Sequence, residues 1–405
     1  MKILLITPEE YKGNRWGGVA TYISNISTEY VKNGHRVWIL SPGKFPKHHK
    51  YHGLQICKES SQGKPSIFKR LILKLAKFLP ITGPCILWAL DVKNFVEKNG
   101  PFDVIEAPEW GASMAFISLN KDAKCVVHLH RSTRQYLLDN KLPISLDQYI
   151  RIFMEYLCVL NSQAVVCPTK YLINQNRVLI TVCRFLHKKI SVIPHGIPLP
   201  TLSHNKERKE KYILFVGRLE RAKGPELLIQ AFSKMVNSFP RLKLYLIGED
   251  TDMQINGNMQ SYRSYLEKMT TKLQISDKVH FAGKLPHGKL SNYYLNSMVY
   301  VTPSIGTENM SIALLEAISY GNPVIVSSAG GSSEVLSKSK NGLIFQENNA
   351  NDLFEKLYWM TSDSTIRRKF RHSAILNRSY FDVKKNARIR LIFYKRLMRK
   401  DHSLS

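Results

Sequence analysis

Short apolar segments alternate with amphipathic helical patterns along the whole chain. Residues 2–7, 104–105, 212–216 and 298–301 have the composition of buried strands, and polar or glycine-containing loops follow them. This alternation predicts βαβ units, whose parallel strands form sheets that helices cover. At 405 residues the chain is too long for one ordinary hydrophobic core, so we expect two α/β domains.

A charged segment, residues 199–211, marks the predicted domain boundary. It lies between the Pro- and Gly-containing stretch at 193–198 and the strand at 212–216. We therefore place an N-terminal domain at residues 1–200 and a C-terminal domain at residues 201–380. The remaining residues, 381–405, contain a predicted basic helix at 383–399.

Two glutamates with seven residues between them, Glu308 and Glu316, lie at the junction of a predicted strand and helix. Glu308 follows the strand at 298–301, at the sheet edge where open α/β sheets bind ligands. Glu316 lies inside the helix predicted for residues 311–320. Carboxylates accept hydrogen bonds from hydroxyl groups, so a ribose or hexose is a natural ligand. Two solvated acids at a helix end are the alternative.

Two further loops have the composition of a phosphate site. Arg218 and Lys223 follow the strand at 212–216 and precede a helix that begins near Pro225. Two fixed cations suit a diphosphate, whose oxygens Arg binds bidentately, although a solvated basic loop is the alternative. Gly330 and Gly331 follow the strand at 324–326 and open another helix, where backbone N–H groups are exposed.

The order and spacing of these motifs resemble the donor-site signature of the retaining glycosyltransferases of family 4. The signature comprises Glu308 and Glu316, Gly-Asn-Pro-Val at 321–324, and Gly-Gly-x-x-Glu at 330–334. The resemblance covers nearly the whole chain. It implies the GT-B fold: two Rossmann-like domains face each other across a cleft, and the C-terminal helix crosses back to the first domain. The N-terminal domain would bind the acceptor and the C-terminal domain the sugar nucleotide.

The resemblance also implies roles for individual residues. The residues that match Arg218 and Lys223 bind the donor diphosphate, while the counterparts of Glu316 and Glu308 bind the ribose and the donor sugar. Gly330 and Gly331 would offer N–H groups near the sugar or phosphate. Where many members have Gly-Phe-Gly, this chain has the donor-binding candidates Asn309, Met310 and Ser311. This departure leaves the identity of the sugar open.

The N-terminal half contains further candidates, each at the end of a predicted strand. Gly17 and Gly18 match a family loop that faces the donor phosphate and the acceptor, although a structural turn explains them almost as well. No Gly-x-Gly-x-x-Gly is present, which argues against a dinucleotide site. His130 matches a histidine that faces the donor sugar and acceptor, and a hydrogen-bonded loop histidine is its alternative. Glu109 and Trp110 are predicted on the acceptor side, unless Trp110 simply packs.

No cofactor is predicted, because the sugar nucleotide would be a substrate. No metal ion is predicted either. Asp250-Thr251-Asp252 has the Asp-x-Asp form of metal-dependent glycosyltransferases of another fold, but the cations Arg218 and Lys223 already supply charge for a diphosphate. We expect this acidic segment to be a structural polar loop. His128 and His130 lie on one face of a strand, and no third ligand follows at a suggestive spacing.

Positive charge is the unusual bulk property: Lys plus Arg number 59 against 31 acids, a formal net charge of +28. Residues 65–79 combine an apolar helical stripe with basic residues, and residues 388–400 add more basic ones. Such helices suit an anionic membrane surface; an apolar face packed on the domain core is the alternative. Zinc-finger spacing and aromatic ribonucleoprotein motifs are absent, so we expect no nucleic-acid partner.

The sequence predicts a cytoplasmic protein, with peripheral attachment to the inner face of the membrane as an open alternative. Neither a signal peptide nor a membrane-spanning apolar segment is recognisable, and the six cysteines form no Cys-x-x-Cys pair. The leading hypothesis is a retaining, metal-independent hexosyltransferase that serves surface polysaccharide or glycolipid synthesis. Its rivals are a sugar-nucleotide epimerase of similar build and a non-catalytic basic protein that binds membranes or polyanions.

Overall fold

The structure is a computed structural model that describes residues 1–11, 17–43, 47–51, 53–59, 78–117, 123–202, 212–255 and 258–399. The chain forms two compact units. The first comprises Met1–Leu137, Pro143–Gly196 and Val383–Ser405, and the second comprises Leu138–Leu142 and Ile197–Asp382. The second unit thus begins at Ile197 rather than at residue 201. It also contains Leu138–Leu142, which the sequence had assigned to the N-terminal domain.

The first unit is built on an eight-stranded sheet with the order β3-β4-β2-β1-β5-β6-β7-β8. Strand β3 is antiparallel to β4, and the following neighbours pair in parallel. Alternate residues of β1 enter separate hydrophobic cores on the two faces, as Leu4 and Leu5 illustrate. The strands are β1 Lys2–Ile6, β2 Arg36–Pro42, β3 Lys47–Tyr51, β4 Leu54–Glu59, β5 Val104–Pro108, β6 Lys124–His128, β7 Ala164–Cys167 and β8 Lys189–Val192.

The second unit has a six-stranded parallel sheet with the order β13-β10-β9-β14-β15-β16. Its central strands are wholly apolar or nearly so, as expected for strands buried on both faces. The strands of this unit are β9 Tyr212–Val216, β10 Lys243–Ile247, β11 Asp252–Ile255, β12 Asn258–Ser261, β13 Val279–Gly283, β14 Ser297–Thr302, β15 Val324–Ser327 and β16 Gly342–Phe345. Strands β11 and β12 form an antiparallel hairpin where a polar loop was expected.

The helices cover these sheets, since their apolar sides enter the same cores as the strands. They are α1 Gly18–Lys32, α2 Thr82–Asn99, α3 Thr133–Asp139, α4 Leu146–Asn161, α5 Lys170–Gln175, α6 Arg177–Phe185, α7 Pro225–Ser233, α8 Tyr262–Lys272, α9 His287–Asn296, α10 Ile312–Ser319, α11 Ser332–Ser339, α12 Ala350–Ser362, α13 Ser364–Asn377 and α14 Val383–Arg399. Short 3₁₀ turns occur at Arg221–Lys223 and Arg378–Phe381. No helix in the described ranges is long and apolar enough to cross a membrane.

The last helix, α14, belongs to the first unit and packs on α1. Its fully buried Arg390 donates from Nη1 to both carboxylate oxygens of Glu106 on β5, at 3.0 Å each. The hydroxyls of Tyr22 on α1 and Tyr394 on α14 also donate to Glu106. One buried carboxylate therefore joins a central strand to two helices.

Of the basic helix expected at 65–79, residues 65–77 lie outside the described residues.

Candidate functional site

Two loops at the carboxyl edge of the second sheet bring Lys223 and Glu308 together. They follow the neighbouring parallel strands β9 and β14. Lys223 Nζ donates to Glu308 Oε2, and Ser304 Oγ donates to the same oxygen at 3.2 Å. Both charged side chains are largely withdrawn from solvent. The sheet edge where open α/β sheets bind ligands thus contains an ion pair formed by two of the predicted residues.

Glycine allows the Lys223 loop to pack closely on the loop after β14. Gly224 adopts a φ of +69°, and a Cβ there would lie 2.0 Å from the carbonyl oxygen of Pro303. Pro225 then begins α7, where its missing N–H would have no helical partner. The Ile305 N–H donates to the Ala222 carbonyl at 2.9 Å, which adds a second tie between the two loops.

The Gly330-Gly331 turn holds the other side of the Glu308 loop. Gly330 has a φ of +76°, and a Cβ there would lie 2.2 Å from the Glu308 carbonyl oxygen. The N–H of Gly331 donates to that carbonyl at 2.6 Å. The expected role of Gly331 as an N–H donor for the ligand therefore does not fit this arrangement, because its N–H is used to position Glu308.

Glu316 is buried inside α10, which Ser311 caps by accepting from the Leu314 N–H. The Tyr294 hydroxyl donates to Glu316 Oε2 at 2.9 Å. Burial, and next the Glu316 charge, raise the pKa of Tyr294 well above its ordinary value, so this hydroxyl remains a donor. One Glu316 oxygen is thereby oriented by the protein.

Two buried polar atoms near these loops have no hydrogen-bond partner among the described residues. They are Oδ1 of Asn309, next to Glu308, and Oγ of Ser332, the first residue of α11 after the Gly-Gly turn. Met310 beside Asn309 is also buried. A buried polar atom without a protein partner is available to an ordered water or to a polar ligand. Ser332 was not predicted, although its position directly after Gly331 was a usable signal.

Arg218 has a different neighbour from Lys223. Its Nη2 lies 3.2 Å from Oε1 of the fully buried Glu220, and its own side chain is half exposed. Glu220 was not predicted, and it orients the guanidinium at the start of the loop. Lys223 thus pairs with Glu308, whereas Arg218 pairs with Glu220.

Asp139 and Asn140 form a second group that the sequence did not reveal. The Asn140 Oδ1 accepts from the Ala222 N–H at 3.1 Å, directly before Lys223. Asp139 accepts from the N–H and hydroxyl of Thr307, directly before Glu308, at 3.1 and 3.3 Å. The short segment Leu138–Leu142 therefore fixes the residues next to both members of the ion pair. These partners lie 82 and 168 positions away in sequence, so no local pattern marks them.

In the first unit, the predicted glycines Gly17 and Gly18 lie at the start of α1. Glu9 Oε2 accepts from the N–H groups of Gly17 and Ala20, at 3.0 and 2.8 Å. A Cβ on Gly17 would lie 2.3 Å from Glu9 Oε1, whereas one on Gly18 would contact nothing within 4 Å. A carboxylate of the protein thus occupies the helix N-terminus, where a negative charge is stabilised.

His130 lies in a buried cluster at the end of β6. Its backbone N–H donates to both oxygens of Glu109, at 2.9 and 2.8 Å. Burial raises the pKa of Glu109 to about 8 and lowers the pKa of His130 to about 4. The ring centroid of His130 lies 4.4 Å from that of His128 and 5.3 Å from that of His195. Glu109 and His130, predicted separately, are therefore direct partners.

Trp110 is partly buried, and the Arg151 guanidinium lies 5.6 Å from its ring centroid. The acceptor-side role of Trp110 stays a prediction. The Asp250 carboxylate is hydrogen-bonded within the protein: it accepts from the Ser261 hydroxyl at 2.6 Å and from the Arg263 N–H at 2.8 Å. Across the described ranges, no three His, Cys, Asp or Glu side chains are grouped as metal ligands.

Comparison with known protein families gives two matches that together span most of the chain. Residues 16–200 match the family model described as Glycosyltransferase Family 4, and residues 202–376 match the one described as Glycosyl transferases group 1. An uncharacterized glycosyltransferase of Methanocaldococcus jannaschii is 28% identical over 85% of this chain and 84% of its own length. A D-inositol 3-phosphate glycosyltransferase of Kribbella flavida is 22% identical over 74% of this chain and 72% of its own.

Solved structures share the fold over almost the entire chain. Sucrose-phosphate synthase from Thermosynechococcus elongatus superposes with a TM-score of 0.77 at 20% identity, covering 98% of this chain and 99% of that one. The Anabaena HepE protein in complex with UDP and glucose gives a TM-score of 0.71 at 17% identity, with 98% and 99% covered. These similarities establish the two-Rossmann-domain fold.

Proposed function

Because this chain belongs to glycosyltransferase family 4 and has the GT-B fold, we propose that it is a retaining enzyme that transfers a sugar from a nucleoside-diphosphate sugar to an acceptor hydroxyl. The observation that carries this proposal is the Lys223–Glu308 pair at the carboxyl edge of the second sheet. A cation suited to a phosphate thus lies beside an acid suited to a sugar hydroxyl.

Each side chain has a role that follows from its charge and position. Negative charge develops on the departing diphosphate in the transition state, and Lys223 and Arg218 would stabilise it. Glu308 would accept hydrogen bonds from the donor sugar, and the oriented carboxylate of Glu316 would accept them from the ribose. Asn309 Oδ1 and Ser332 Oγ supply further buried polar atoms for the donor. His130 is the candidate from the first unit.

The donor is proposed to be a uridine nucleotide, because the similar Anabaena HepE structures hold UDP, UDP with glucose, or UDP-glucose. For the acceptor we propose a glycan or a lipid-linked sugar in surface polysaccharide or glycolipid synthesis. The formal net charge of +28 supports a location near an anionic surface at the cytoplasmic side of a membrane. No metal ion takes part in the proposed reaction, since Lys223 and Arg218 supply the positive charge.

A thermal-shift screen of the whole protein against sugar nucleotides tests the donor assignment. A ligand that binds the folded state raises the melting temperature by mass action, and we expect a UDP-sugar to do so. The stabilising donor is then incubated with and without oligosaccharide or glycolipid acceptors. Transfer releases UDP only when an acceptor is present, whereas epimerisation converts the donor without one.

The Lys223→Ala variant tests the site. We expect kcat to fall on the order of a hundredfold or more, because a charge-stabilising donor is lost in the transition state. Lys356→Ala is the matched control, since Lys356 pairs with Asp352 at 3.2 Å on helix α12 of the same unit. Full transfer activity in Lys223→Ala would show that the site lies elsewhere.

A further inference from the structure

Helix α4 of the first unit exposes apolar and aromatic side chains and withdraws its charged ones from solvent. Its three charged side chains are withdrawn: Asp147 accepts from the Ile81 and Thr82 N–H groups, Glu155 accepts from Thr133, and Arg151 is 17% exposed. The exposed positions are apolar or aromatic and follow spacings of three, four and three: Leu146 at 77%, Tyr149 at 58%, Phe153 at 60% and Tyr156 at 37%. A helix that faces only water has the reverse pattern.

Helix α6 continues this surface. It contacts α4, and Val178 and Phe185 are 82% and 81% exposed. The opposite sides of both helices enter the same hydrophobic core, where Cys158 of α4 joins Ile180 of α6. Their exposed sides therefore point away from the same face of the sheet. We call Leu146, Tyr149, Phe153, Val178 and Phe185 the α4–α6 face.

The segment that contains α6 carries charge of a single sign. Residues 156–202 contain neither Asp nor Glu, while Arg177, Arg184 and His187 are exposed at the two ends of α6. Apolar and aromatic side chains bordered by basic ones are what a protein presents to an anionic bilayer: the rings enter the interface and the cations meet phosphate groups.

We propose that the α4–α6 face docks the protein on a bilayer that contains anionic lipid. The charge distribution argues against a second copy as the occupant, because a twofold contact would bring Arg177 and Arg184 near their own equivalents. The proposal rests on the membrane location given in the proposed function and names the surface responsible for it. Its test needs neither donor nor acceptor, so its failure would leave the proposed sugar transfer intact.

Vesicle co-sedimentation with the whole chain tests this proposal. We expect binding to phosphatidylcholine–phosphatidylglycerol vesicles, weaker binding to phosphatidylcholine alone, and a reduction by added salt, which screens the charge. The double variant Phe153→Ser/Phe185→Ser should bind the mixed vesicles roughly tenfold more weakly, because two exposed rings no longer enter the interface. The variant Arg177→Glu/Arg184→Glu should lose the preference for phosphatidylglycerol.

The matched control is Leu376→Ser/Ile344→Ser, which removes exposed apolar side chains of 64% and 43% from the second unit. It should bind vesicles as the wild type does. All substituted residues are exposed, so circular dichroism should show unchanged folding. The proposal is overturned if the wild type binds neither vesicle, if Phe153→Ser/Phe185→Ser binds as the wild type does, or if that variant instead dissociates a dimer seen by analytical ultracentrifugation.

Discussion

Lys223 and Glu308 each neutralise the other at a site that is largely withdrawn from solvent. Removing either residue leaves an uncompensated charge, so the effect of a single substitution combines a lost ligand contact with a destabilised loop. The two residues therefore act as a unit, and their separate effects are not additive.

A double-mutant cycle measures this coupling. We expect Lys223→Ala and Glu308→Ala each to lower the unfolding free energy, and the double variant to lower it by less than their sum, with a coupling of about 0.5–3 kcal/mol. Urea unfolding at neutral pH provides the values. The exposed pair Arg263–Glu267, at 2.7 Å, is the control and should show coupling below about 1 kcal/mol. Additive effects at the Lys223 pair would contradict the direct contact.

Glu109 gives the first unit a defined pH dependence. Burial raises its pKa from 4.5 to about 8, so the folded protein favours the protonated, neutral carboxyl group. Stability is therefore highest below pH 4.5, and it falls as the pH rises from 4.5 through about 8. Glu109→Gln keeps an oxygen that accepts from the His130 N–H and does not ionise. We expect the variant to gain stability over the wild type across this window, at about 1.4 kcal/mol per unit of pKa difference.

Urea unfolding of the two proteins at several pH values within that window measures the difference. Glu97→Gln is the control, because Glu97 lies on α2 with an exposed side chain, and its difference from the wild type should not change with pH. A constant difference for Glu109→Gln would mean that Glu109 ionises in the folded protein as it does in the unfolded chain.

The turn before α11 determines where the Glu308 loop lies. Gly330→Ala would add strain at a positive φ and place a Cβ against the Glu308 carbonyl oxygen. Gly283→Ala adds the same kind of strain at a φ of +65°, but its Cβ would contact nothing within 4 Å. We expect each variant to lose about 1–2 kcal/mol from backbone strain, and Gly330→Ala to lose more because the loop must move.

Activity separates these two variants more sharply than stability does. Gly330→Ala should lower kcat because Glu308 is displaced, whereas Gly283→Ala should retain the wild-type kcat at a temperature where both are folded. Equal activities would show that the Gly330 turn does not position Glu308.

Asn140 supports the Lys223 loop from the segment Leu138–Leu142. In Asn140→Ala the buried N–H of Ala222 loses its acceptor, which costs about 1–3 kcal/mol. We expect this loss in urea unfolding together with a raised KM for the donor, since Lys223 follows Ala222 directly. Asn296→Ala, at the last residue of α9, is the control. An unchanged KM would limit Asn140 to a stabilising role.

Strands and helix starts were predictable because local rules determine them. Apolar runs predicted β9, β14 and β15, and Pro225 marked the first residue of α7. The β11–β12 hairpin was missed because its polar residues show no alternation of apolar side chains. Asp139 and Asn140 were missed for another reason: an Asp or Asn far along the chain gives no local sign of which backbone N–H it will bind.

Arg390 connects the C-terminal helix to a central strand of the first sheet. Arg390→Ala would leave Glu106 buried without its cation, at a cost of about 3–5 kcal/mol. The double variant Arg390→Met/Glu106→Gln should recover part of this loss, because no uncompensated charge remains. Tyr22 and Tyr394 contact different oxygens of Glu106, so the amide oxygen of Gln accepts from one hydroxyl and its N–H donates to the oxygen of the other. Urea unfolding measures both.

The exposed neighbour Arg388 supplies the control, since Arg388→Ala should change stability by less than about 0.5 kcal/mol. If Arg390→Ala were as stable as Arg388→Ala, α14 would be held in the first unit by apolar packing alone.

The division of the chain into units has a consequence for recombination between relatives. Neither unit is one contiguous stretch: the first needs residues 143–196 and Val383–Ser405 in addition to its start, and the second needs Leu138–Leu142. In a chimera that exchanges only residues 197–382, Asp139 and Asn140 would come from one parent and their contact partners from the other. In a chimera with a single junction between residues 106 and 390, Glu106 and Arg390 would come from different parents. Functional hybrids therefore require that residues 138–142 be exchanged together with the rest of the second unit, although they lie within the sequence of the first.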